Sequence, residues 1–408
     1  MPHDLYEELH LRPVVNASGT MTTYGQSVGL PEVGQAMAAA LPLFFEMDQL
    51  HAVASATIAR TIGTEAGFVT SCSAAGITIA AAACMAGRDP ARIEQLPDTE
   101  GMADEVLIQM GHCCDFGAPV TQMIRLSGAR VKMVGTVNGC SASLFAASLG
   151  GQSVAAVYVL SHHTTQYGCI PLPAFVQIAH ARGIPVIVDA AAEEHRLGEC
   201  MAAGADLVVC SGHKHFRGPT SGIVAGRLPL IQACYAQNRG IGRTMKIGKE
   251  GIIGLITALN VWQKTDHDQR REGERQRVRA CVAALAGLPG IHALERWPEP
   301  DPYPIARVQI IVDPDQCGLS ALGLATMLAE ENPSVRVRDH HVDEGYLLLD
   351  PFTVDDREMA YIVERIRATL GRPAAEKAAV MQRLAGLGGS EQWNDKAEWP
   401  FHAPGGGE

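Results

Sequence analysis

The sequence predicts an α/β protein, in which a seven-stranded, mostly parallel sheet is followed by a smaller C-terminal α+β domain. Between about residues 56 and 226, short apolar runs alternate with helical stretches, the pattern of a parallel sheet covered by helices on both faces. After residue 248 this alternation stops, and strands and helices follow in a different order. The 408 residues also exceed the size at which a single core stops growing, so we expect a second domain.

The strands predicted for the large domain are short, apolar and bounded by small or polar residues. They cover residues 67–70, 106–109, 131–134, 154–160, 185–188, 207–210 and 222–225. Helices are expected in the intervals, most clearly at residues 74–85, 117–126, 172–182 and 228–238.

The second half of the chain begins with one long or broken helix over residues 251–285, whose later part is heavily charged. Strands at 304–312, 335–338 and 346–349 and helices at 319–331 and 354–370 complete the small domain. We therefore divide the chain into an N-terminal segment that contributes to a substrate site (1–55), a large domain (56–260), a small domain (261–375) and a C-terminal helix and tail (376–408).

Composition excludes several function classes. A formal net charge of −11 opposes binding to nucleic acid or to an anionic membrane. The eleven cysteines show no metal-site spacing, which favours reduced thiols in a cytoplasmic protein. No run of about 18 apolar residues and no basic segment followed by an apolar one is present, so the sequence predicts neither a membrane-spanning nor a secreted protein.

A lysine follows the sixth predicted strand directly, in Ser-Gly-His-Lys-His-Phe-Arg-Gly-Pro-Thr-Ser-Gly (211–222). The carboxyl edge of a parallel sheet is where α/β proteins place reactive groups, so Lys214 is a candidate Schiff-base lysine. Such an amine must be neutral to attack an aldehyde, and burial beside positive groups favours that form. His213, His215 and Arg217 are candidates for those groups. The alternative is an ordinary surface lysine in a glycine-rich loop.

An aspartate ends the strand before it, in Val-Ile-Val-Asp (186–189). A carboxylate at this edge can pair with the pyridine nitrogen of pyridoxal 5'-phosphate (PLP) and keep the ring protonated, so that it accepts electrons from the substrate. Asp189 could instead cap a helix or bind magnesium.

A run of small and hydroxyl residues, Thr-Ser-Cys-Ser-Ala-Ala-Gly (70–76), lies between the first strand and an alanine-rich helix. Backbone N–H groups and the hydroxyls of Ser71 and Ser73 could bind a phosphate at the positive end of that helix. Ser73 could equally be a simple N-cap. Together with Asp189 and Lys214, this turn predicts a PLP site at one edge of the sheet.

These motifs resemble fold-type I PLP-dependent enzymes with the aspartate-aminotransferase-like fold, in particular the family of selenocysteine synthase and D-glucosaminate-6-phosphate ammonia-lyase. The resemblance extends from Arg12 to about Leu370. Its most specific parts are Arg-Pro-Val-Val-Asn-Ala-Ser-Gly-Thr (12–20), the Ser-Ala-Ala turn, Val188-Asp189, and Ser-Gly-His-Lys followed by Gly-Pro-Thr-Ser-Gly.

The resemblance implies that Lys214 binds the cofactor and shuttles a proton, that Asp189 contacts the ring nitrogen, and that Ser211 helps to bind the phosphate. The complete set of expected cofactor contacts is Ser71, Cys72, Ser73, Ala74, Ala75, His112, His163, Thr164, Asp189, Ser211, His213 and Lys214. Met110 or Cys113 could take the ring-stacking place of His112, and His163 and Thr164 could be N-caps.

Arg12, Asn16 and Thr20 near the start of the chain, and Arg338 in the small domain, are the expected substrate contacts. Arginine suits an α-carboxylate because its guanidinium binds the two oxygens side by side. Arg336 competes for that role because it lies on the same strand face, and residues 16–19 could be a simple turn. The basic segment 239–249 either binds an anion or is an ordinary charged loop, and no metal site is expected from the histidine spacing.

The resemblance implies a lyase that removes the Cα proton of a β-hydroxy or sugar amino acid, eliminates the β-substituent, and releases a 2-oxo acid and ammonia. Alternatives on the same scaffold are an aminotransferase, a racemase, an aldolase or a PLP-binding regulator without catalysis. The negative charge argues against a tRNA substrate. A homodimer or higher homo-oligomer with shared active sites is the family expectation.

Overall fold

The computed structural model describes residues 5–161, 163–165, 167–297 and 305–385. The chain forms two compact units. We call Val28–Thr265 the large unit, and Met1–Ser27 together with Asp266–Glu408 the small unit.

Twelve β-strands occur among the described residues: β1 (Val14–Ala17), β2 (Ala66–Thr70), β3 (Glu105–Gln109), β4 (Arg130–Val134), β5 (Ser153–Val159), β6 (Val186–Asp189), β7 (Leu207–Ser211), β8 (Gly222–Gly226), β9 (Ile291–Arg296), β10 (Arg307–Val312), β11 (Ser334–Val337) and β12 (Tyr346–Leu349). The same residues contain sixteen α-helices: α1 (Leu5–Glu8), α2 (Pro31–Ala40), α3 (Met47–Ile62), α4 (Ser73–Ala86), α5 (Pro90–Gln95), α6 (Val120–Arg125), α7 (Ala142–Ser148), α8 (Leu172–His180), α9 (Leu197–Ala202), α10 (Leu228–Ala236), α11 (Lys249–Trp262), α12 (His267–Leu285), α13 (Pro314–Cys317), α14 (Ala321–Glu330), α15 (Asp356–Leu370) and α16 (Ala374–Leu384).

The sheet of the large unit has seven strands in the order β2-β8-β7-β6-β5-β3-β4. Strand β8 is antiparallel to β2 and β7, whereas the other pairs are parallel. Apolar residues cover both faces, because Val106 and Ile108 belong to one core cluster and Leu107 between them belongs to the other. The prediction of a seven-stranded, mostly parallel α/β sheet is therefore confirmed.

Three strand ends and one strand start meet at one edge of this sheet. Thr70 at the end of β2 and Ser211 at the end of β7 are both paired with Gly222, the first residue of β8. A Cβ atom on Gly222 would lie 2.2 Å from the carbonyl oxygen of Cys72, so only glycine allows this approach. Because β6 pairs with β7 in parallel, Asp189 reaches the same edge.

Helix α4 begins at this edge and is almost entirely buried. Its small residues let it pack closely against the sheet, since a Cβ on Gly76 would lie 2.8 Å from Cγ1 of Val209. Eight of its fourteen residues are alanine or glycine, so the helix has apolar contacts on every side rather than one apolar stripe. This packing places the N-terminus of α4 beside the strand ends.

The small unit contains an antiparallel sheet, β12-β10-β9, and a parallel pair, β1-β11. The sequence did not predict β1 or β9. The long charged stretch is two helices, α11 in the large unit and α12 in the small unit, and Asp266 caps the second through the N–H groups of Asp268 and Gln269. Residue 304 of the predicted strand 304–312 and residues 386–408 of the predicted tail lie outside the described residues.

A search of the described residues found no helix both long enough and apolar enough to span a membrane.

Candidate active site

Lys214 lies in a tight loop between β7 and β8 and is half-buried. The loop is closed by backbone hydrogen bonds from Gly212 N to Ser221 O (2.9 Å) and from Gly218 N to Gly212 O (2.9 Å). A Cβ on Gly212 would lie 2.2 Å from Ser221 Oγ, which explains the glycine before the His-Lys pair. Arg217 takes a positive φ of 58°, and its Nε donates to Val28 O at 2.8 Å. These bonds fix the backbone on both sides of the lysine.

Two buried histidines flank Lys214. Nδ1 of His213 lies 3.0 Å from Ser221 O and 3.2 Å from Ser221 N. Nδ1 of His215 lies 2.7 Å from Oε2 of Glu194. Burial lowers the pKa of His213, so its imidazole is neutral at pH 7 and supplies no positive charge beside the lysine.

Asp189 ends β6 and is 4% exposed. Its Oδ1 accepts a hydrogen bond from Ala191 N at 3.1 Å. Burial raises the pKa of this carboxyl to about 6, although the positive charge of Lys214 and the Ala191 N–H act in the opposite direction. A buried carboxyl whose charge is only partly compensated fits a cationic partner, and a protonated pyridine nitrogen is such a group.

The turn between β2 and α4 brings two hydroxyls together, because Ser73 Oγ lies 3.1 Å from Ser211 Oγ. Cys72 is the N-cap of α4, and its Sγ accepts from Ala75 N, so the alternative N-cap role of Ser73 is wrong. The backbone N–H of Ser71 donates to Met245 O. Two hydroxyls and a half-buried helix N-terminus form a set of donors that suits a phosphate ester.

His112 follows β3 and is buried. Its Nδ1 accepts a hydrogen bond from Val159 N at 3.1 Å, and its ring meets Tyr158 edge-on with centroids 4.4 Å apart. Burial lowers its pKa to about 4, so the ring is neutral at physiological pH. A neutral ring held by β5 is suited to stacking on a cofactor.

The loop after β5 holds the other two predicted cofactor contacts. Thr164 Oγ1 donates to Ser161 O at 2.8 Å, and the backbone N–H of the exposed His163 donates to Ser161 Oγ at 3.2 Å. Thr165 N donates to Gly111 O at 2.9 Å, which brings this loop beside His112. The local bonds fit the alternative of a capping turn as well as a cofactor contact.

In the small unit, Asn16 uses its carboxamide locally. Its Nδ2 donates to Gly19 O and its Oδ1 accepts from Ser18 N, each at 3.0 Å. The expected alternative of a turn at residues 16–19 is therefore present. Arg12 is exposed and Thr20 is half-buried in the described small unit.

Arg338 directly follows β11 and forms two backbone hydrogen bonds with Leu348 of β12 (2.9 and 3.0 Å). The nearby Asp350 is buried and accepts from Arg307 Nε at 2.9 Å. Burial opposes ionisation of Asp350, but Arg307 and Arg338 hold its pKa below the ordinary value. Part of the positive charge of Arg338 is thus compensated within the small unit.

Arg336, the alternative to Arg338 for binding the α-carboxylate, has different contacts. Its guanidinium lies over the ring of Tyr24, 5.5 Å from the centroid. In the basic segment 239–249, Lys249 donates to Leu41 O at 2.8 Å and lies 5.5 Å from the Phe44 ring, so it is held by the protein itself.

Three buried carboxylates near the predicted residues had not been singled out: Glu193, Glu194 and Asp350. The Glu-Glu pair directly after Val-Ile-Val-Asp-Ala-Ala-Ala was the available signal for two of them, since paired acidic residues close to a strand end are unusual unless they have partners.

Comparison with known proteins identifies the family of this chain. The model of the aminotransferase class-V family matches residues 93–341. The chain belongs to this family. It is 39% identical over 90% of its length to D-glucosaminate-6-phosphate ammonia lyase of Salmonella typhimurium, covering 98% of that protein. It is also 37% identical to 5'-C-glycyluridine monooxygenase-decarboxylase of a Streptomyces species, with 90% of this chain and 92% of that one covered.

Solved structures of known proteins are similar to this chain as well. A D-glucosaminate-6-phosphate ammonia-lyase structure superposes with a TM-score of 0.84 at 39% identity, covering 93% of this chain and all of the other. Aspartate aminotransferase from Thermus thermophilus, at 16% identity, a TM-score of 0.51, and coverage of 90% and 94%, shows the shared fold. The chain therefore has the fold-type I architecture, its cofactor is PLP, and the prediction of a PLP-dependent enzyme of the lyase type is confirmed.

Proposed function

We propose that this protein removes ammonia from a sugar amino acid or another β-hydroxy amino acid, producing a 2-oxo acid. The observation that carries the proposal is the convergence of Lys214, the buried Asp189 and the Ser73–Ser211 hydroxyl pair at one sheet edge. The 39% identity to an ammonia lyase over nearly its whole length supports this reaction type.

Each residue has a distinct task in this proposal. Lys214 holds the cofactor covalently and then carries the proton removed from Cα of the substrate. Asp189 keeps the ring nitrogen protonated, which its burial makes favourable once a cation is beside it. Ser73, Ser211 and the α4 N-terminus bind the phosphate, with Ser71, Cys72, Ala74 and Ala75 forming the surrounding turn.

When bound, PLP accepts the electron pair left at Cα after proton removal. The Cβ–oxygen bond then breaks, and the hydroxyl leaves as water with a proton from the site. Hydrolysis of the unsaturated amine yields the 2-oxo acid and ammonia. His112 limits ring movement and excludes water on one side, while His163, Thr164 and His213 border the cofactor.

We propose four substrate contacts: Arg12, Asn16, Thr20 and Arg338. Arg338 binds the α-carboxylate of the substrate. The cofactor-binding part is the predicted large domain, 56–260. We further propose a homodimer or larger homo-oligomer with shared active sites, without nucleic acid or membrane partners, in the cytoplasm. The free cysteines found in the described residues fit a reducing compartment.

A second candidate reaction is oxygen-dependent decarboxylation of an amino acid, which the 37% identity to a monooxygenase-decarboxylase favours. The two reactions differ in their products, because only the second consumes oxygen and releases carbon dioxide. Transamination, racemisation, aldol cleavage or regulation by PLP binding would give neither ammonia nor oxygen uptake.

The deciding experiment has two parts. Borohydride reduction of the loaded protein, followed by peptide mass mapping, should place the cofactor on Lys214, and Lys214→Ala should abolish the adduct whereas the exposed Lys264→Ala should keep it. D- and L-β-hydroxy amino acids and amino sugar acids are then assayed for ammonia, 2-oxo acid and oxygen uptake. An adduct on another lysine refutes the site, and oxygen uptake with carbon dioxide release refutes the lyase reaction.

A further inference from the structure

A buried, hydrogen-bonded glutamate–histidine pair lies beside the candidate cofactor lysine and has no role in the chemistry above. Glu194 begins the short turn Glu194–Arg196, five positions after Asp189. Its side chain is 0% exposed and that of His215 is 7% exposed. Both carboxylate oxygens bind the same residue, because Oε2 lies 2.7 Å from His215 Nδ1 and Oε1 accepts from the His215 backbone N at 3.3 Å.

The pair connects two loops that must act together. Glu194 belongs to the loop that follows Asp189, whereas His215 directly follows Lys214. Parallel strands β6 and β7 bring these loops side by side, and Ser211 N also donates to Ala191 O at 3.2 Å. Glu194 therefore holds the backbone next to the lysine against the loop of the aspartate.

His213 provides the matching attachment on the other side of the lysine, through its Nδ1 contacts with Ser221. The lysine thus lies between two anchored imidazoles. A lysine side chain has four flexible methylene groups, so the direction of its amine depends strongly on the backbone from which it starts.

A buried pair of titratable side chains is often no more stabilising than apolar residues of the same volume, since both side chains lose their hydration on folding. What the pair adds is a fixed distance and direction. A misplacement of about 1 Å can slow a reaction on the order of 100-fold, so fixed geometry has a direct functional use for proton transfer at Cα.

We propose that Glu194 is a positioning residue, which acts through His215 to hold Lys214 in a fixed position relative to Asp189. This inference rests on the proposed function, in which Lys214 binds PLP and moves the Cα proton.

Four variants test it. Glu194→Ala removes the link, and Glu194→Gln keeps the length and the hydrogen-bonding groups of the side chain but cannot ionise. Glu199→Ala is the control for charge, because Glu199 forms an ion pair with Arg196 in the same segment but has a side chain that is 60% exposed. Ile124→Ala is the control for lost stability, because it removes fully buried apolar volume from α6.

The measurements are the exchange of the substrate Cα proton with solvent, the visible circular dichroism of bound PLP, the PLP affinity of the cofactor-free protein, and its melting temperature. Glu194→Ala should slow proton exchange by about 100-fold and diminish the dichroism band. Glu194→Gln should recover most of both signals. Glu199→Ala should match the wild type, and Ile124→Ala should lower the melting temperature without changing the dichroism per bound cofactor.

Equal effects of Glu194→Ala and Ile124→Ala on exchange and dichroism would overturn the inference, as would a Gln variant no better than the Ala variant. The borohydride adduct distinguishes a failure of the proposed function from a failure of the positioning role. An adduct away from Lys214 refutes the proposed function, whereas an adduct on Lys214 with an unchanged Glu194→Ala spectrum and exchange rate refutes only the positioning role.

Discussion

Replacing Asp189 by Asn should stabilise the cofactor-free protein, although it removes the proposed partner of the cofactor ring. Burial raises the pKa of Asp189 from 3.8 to about 6. A shift of roughly two units at about 1.4 kcal/mol each corresponds to about 3 kcal/mol of unfavourable free energy for the ionised, folded state. Asparagine fits the same space, can still accept from Ala191 N, and carries no charge to bury.

The sign of the pH dependence follows from which state holds the proton. Between about pH 4 and pH 6 the folded protein keeps the Asp189 proton that the unfolded chain has already lost. Asp189 therefore costs the wild type no stability below about pH 4. The free energy of unfolding falls as the pH rises from about 4 to 6, and it stays low above that window. The advantage of Asp189→Asn should grow over the same window and reach about 3 kcal/mol at pH 7.5.

Urea denaturation of both cofactor-free proteins at several pH values between 4 and 8 measures this difference. Asp350→Asn is a suitable control, because Asp350 is equally buried but has a lowered pKa, so its replacement should destabilise the protein at neutral pH. Adding PLP should reverse the order for Asp189, since the wild-type carboxylate gains a cationic partner. A pH-independent difference, or tighter PLP binding by the Asn variant, would refute the reasoning.

Two further substitutions test the remaining geometry. Gly222→Ala would bring a methyl group within 2.2 Å of Cys72 O and should weaken PLP binding about tenfold in an absorbance titration, whereas Gly151→Ala, which meets nothing within 4 Å, should bind normally. Because the pKa of His112 is lowered to about 4, the pH profile of kcat/KM should show no inflection from this residue between pH 5 and 8. An inflection near neutral pH that disappears in His112→Gln would contradict its neutral state.

The sheet and its cofactor edge were predictable because their signals are local. Each strand of the large unit is a short apolar run, and parallel strands place their following residues at a common edge. The same signals predicted that Asp189 and Ser211 lie at one edge of the sheet, where the pairing of β6, β7 and β8 brings them. Strands β1 and β9 were missed because each is defined by its partner strand rather than by its own sequence.

Contacts between distant residues set the limit of the prediction at the site. The hydrogen bonds between Glu194 and His215 join positions 21 apart, and no periodicity indicates that either is buried. The role of Cys72 as N-cap was not foreseen because cysteine is not a preferred capping residue. Arg336 and Arg338 are two positions apart, so the sequence predicted the same strand face for both, and only their neighbours in the structure, Tyr24 and Asp350, distinguish them.

The parallel pairing of β1 with β11 has a consequence for biosynthesis. Val14 pairs with Ser334, roughly 320 positions later in the chain. During translation, every strand of the seven-stranded sheet leaves the ribosome before the partner of β1 has been made. The nascent chain must therefore carry β1 unpaired until synthesis is nearly complete, and the small unit is the last part to acquire its native contacts.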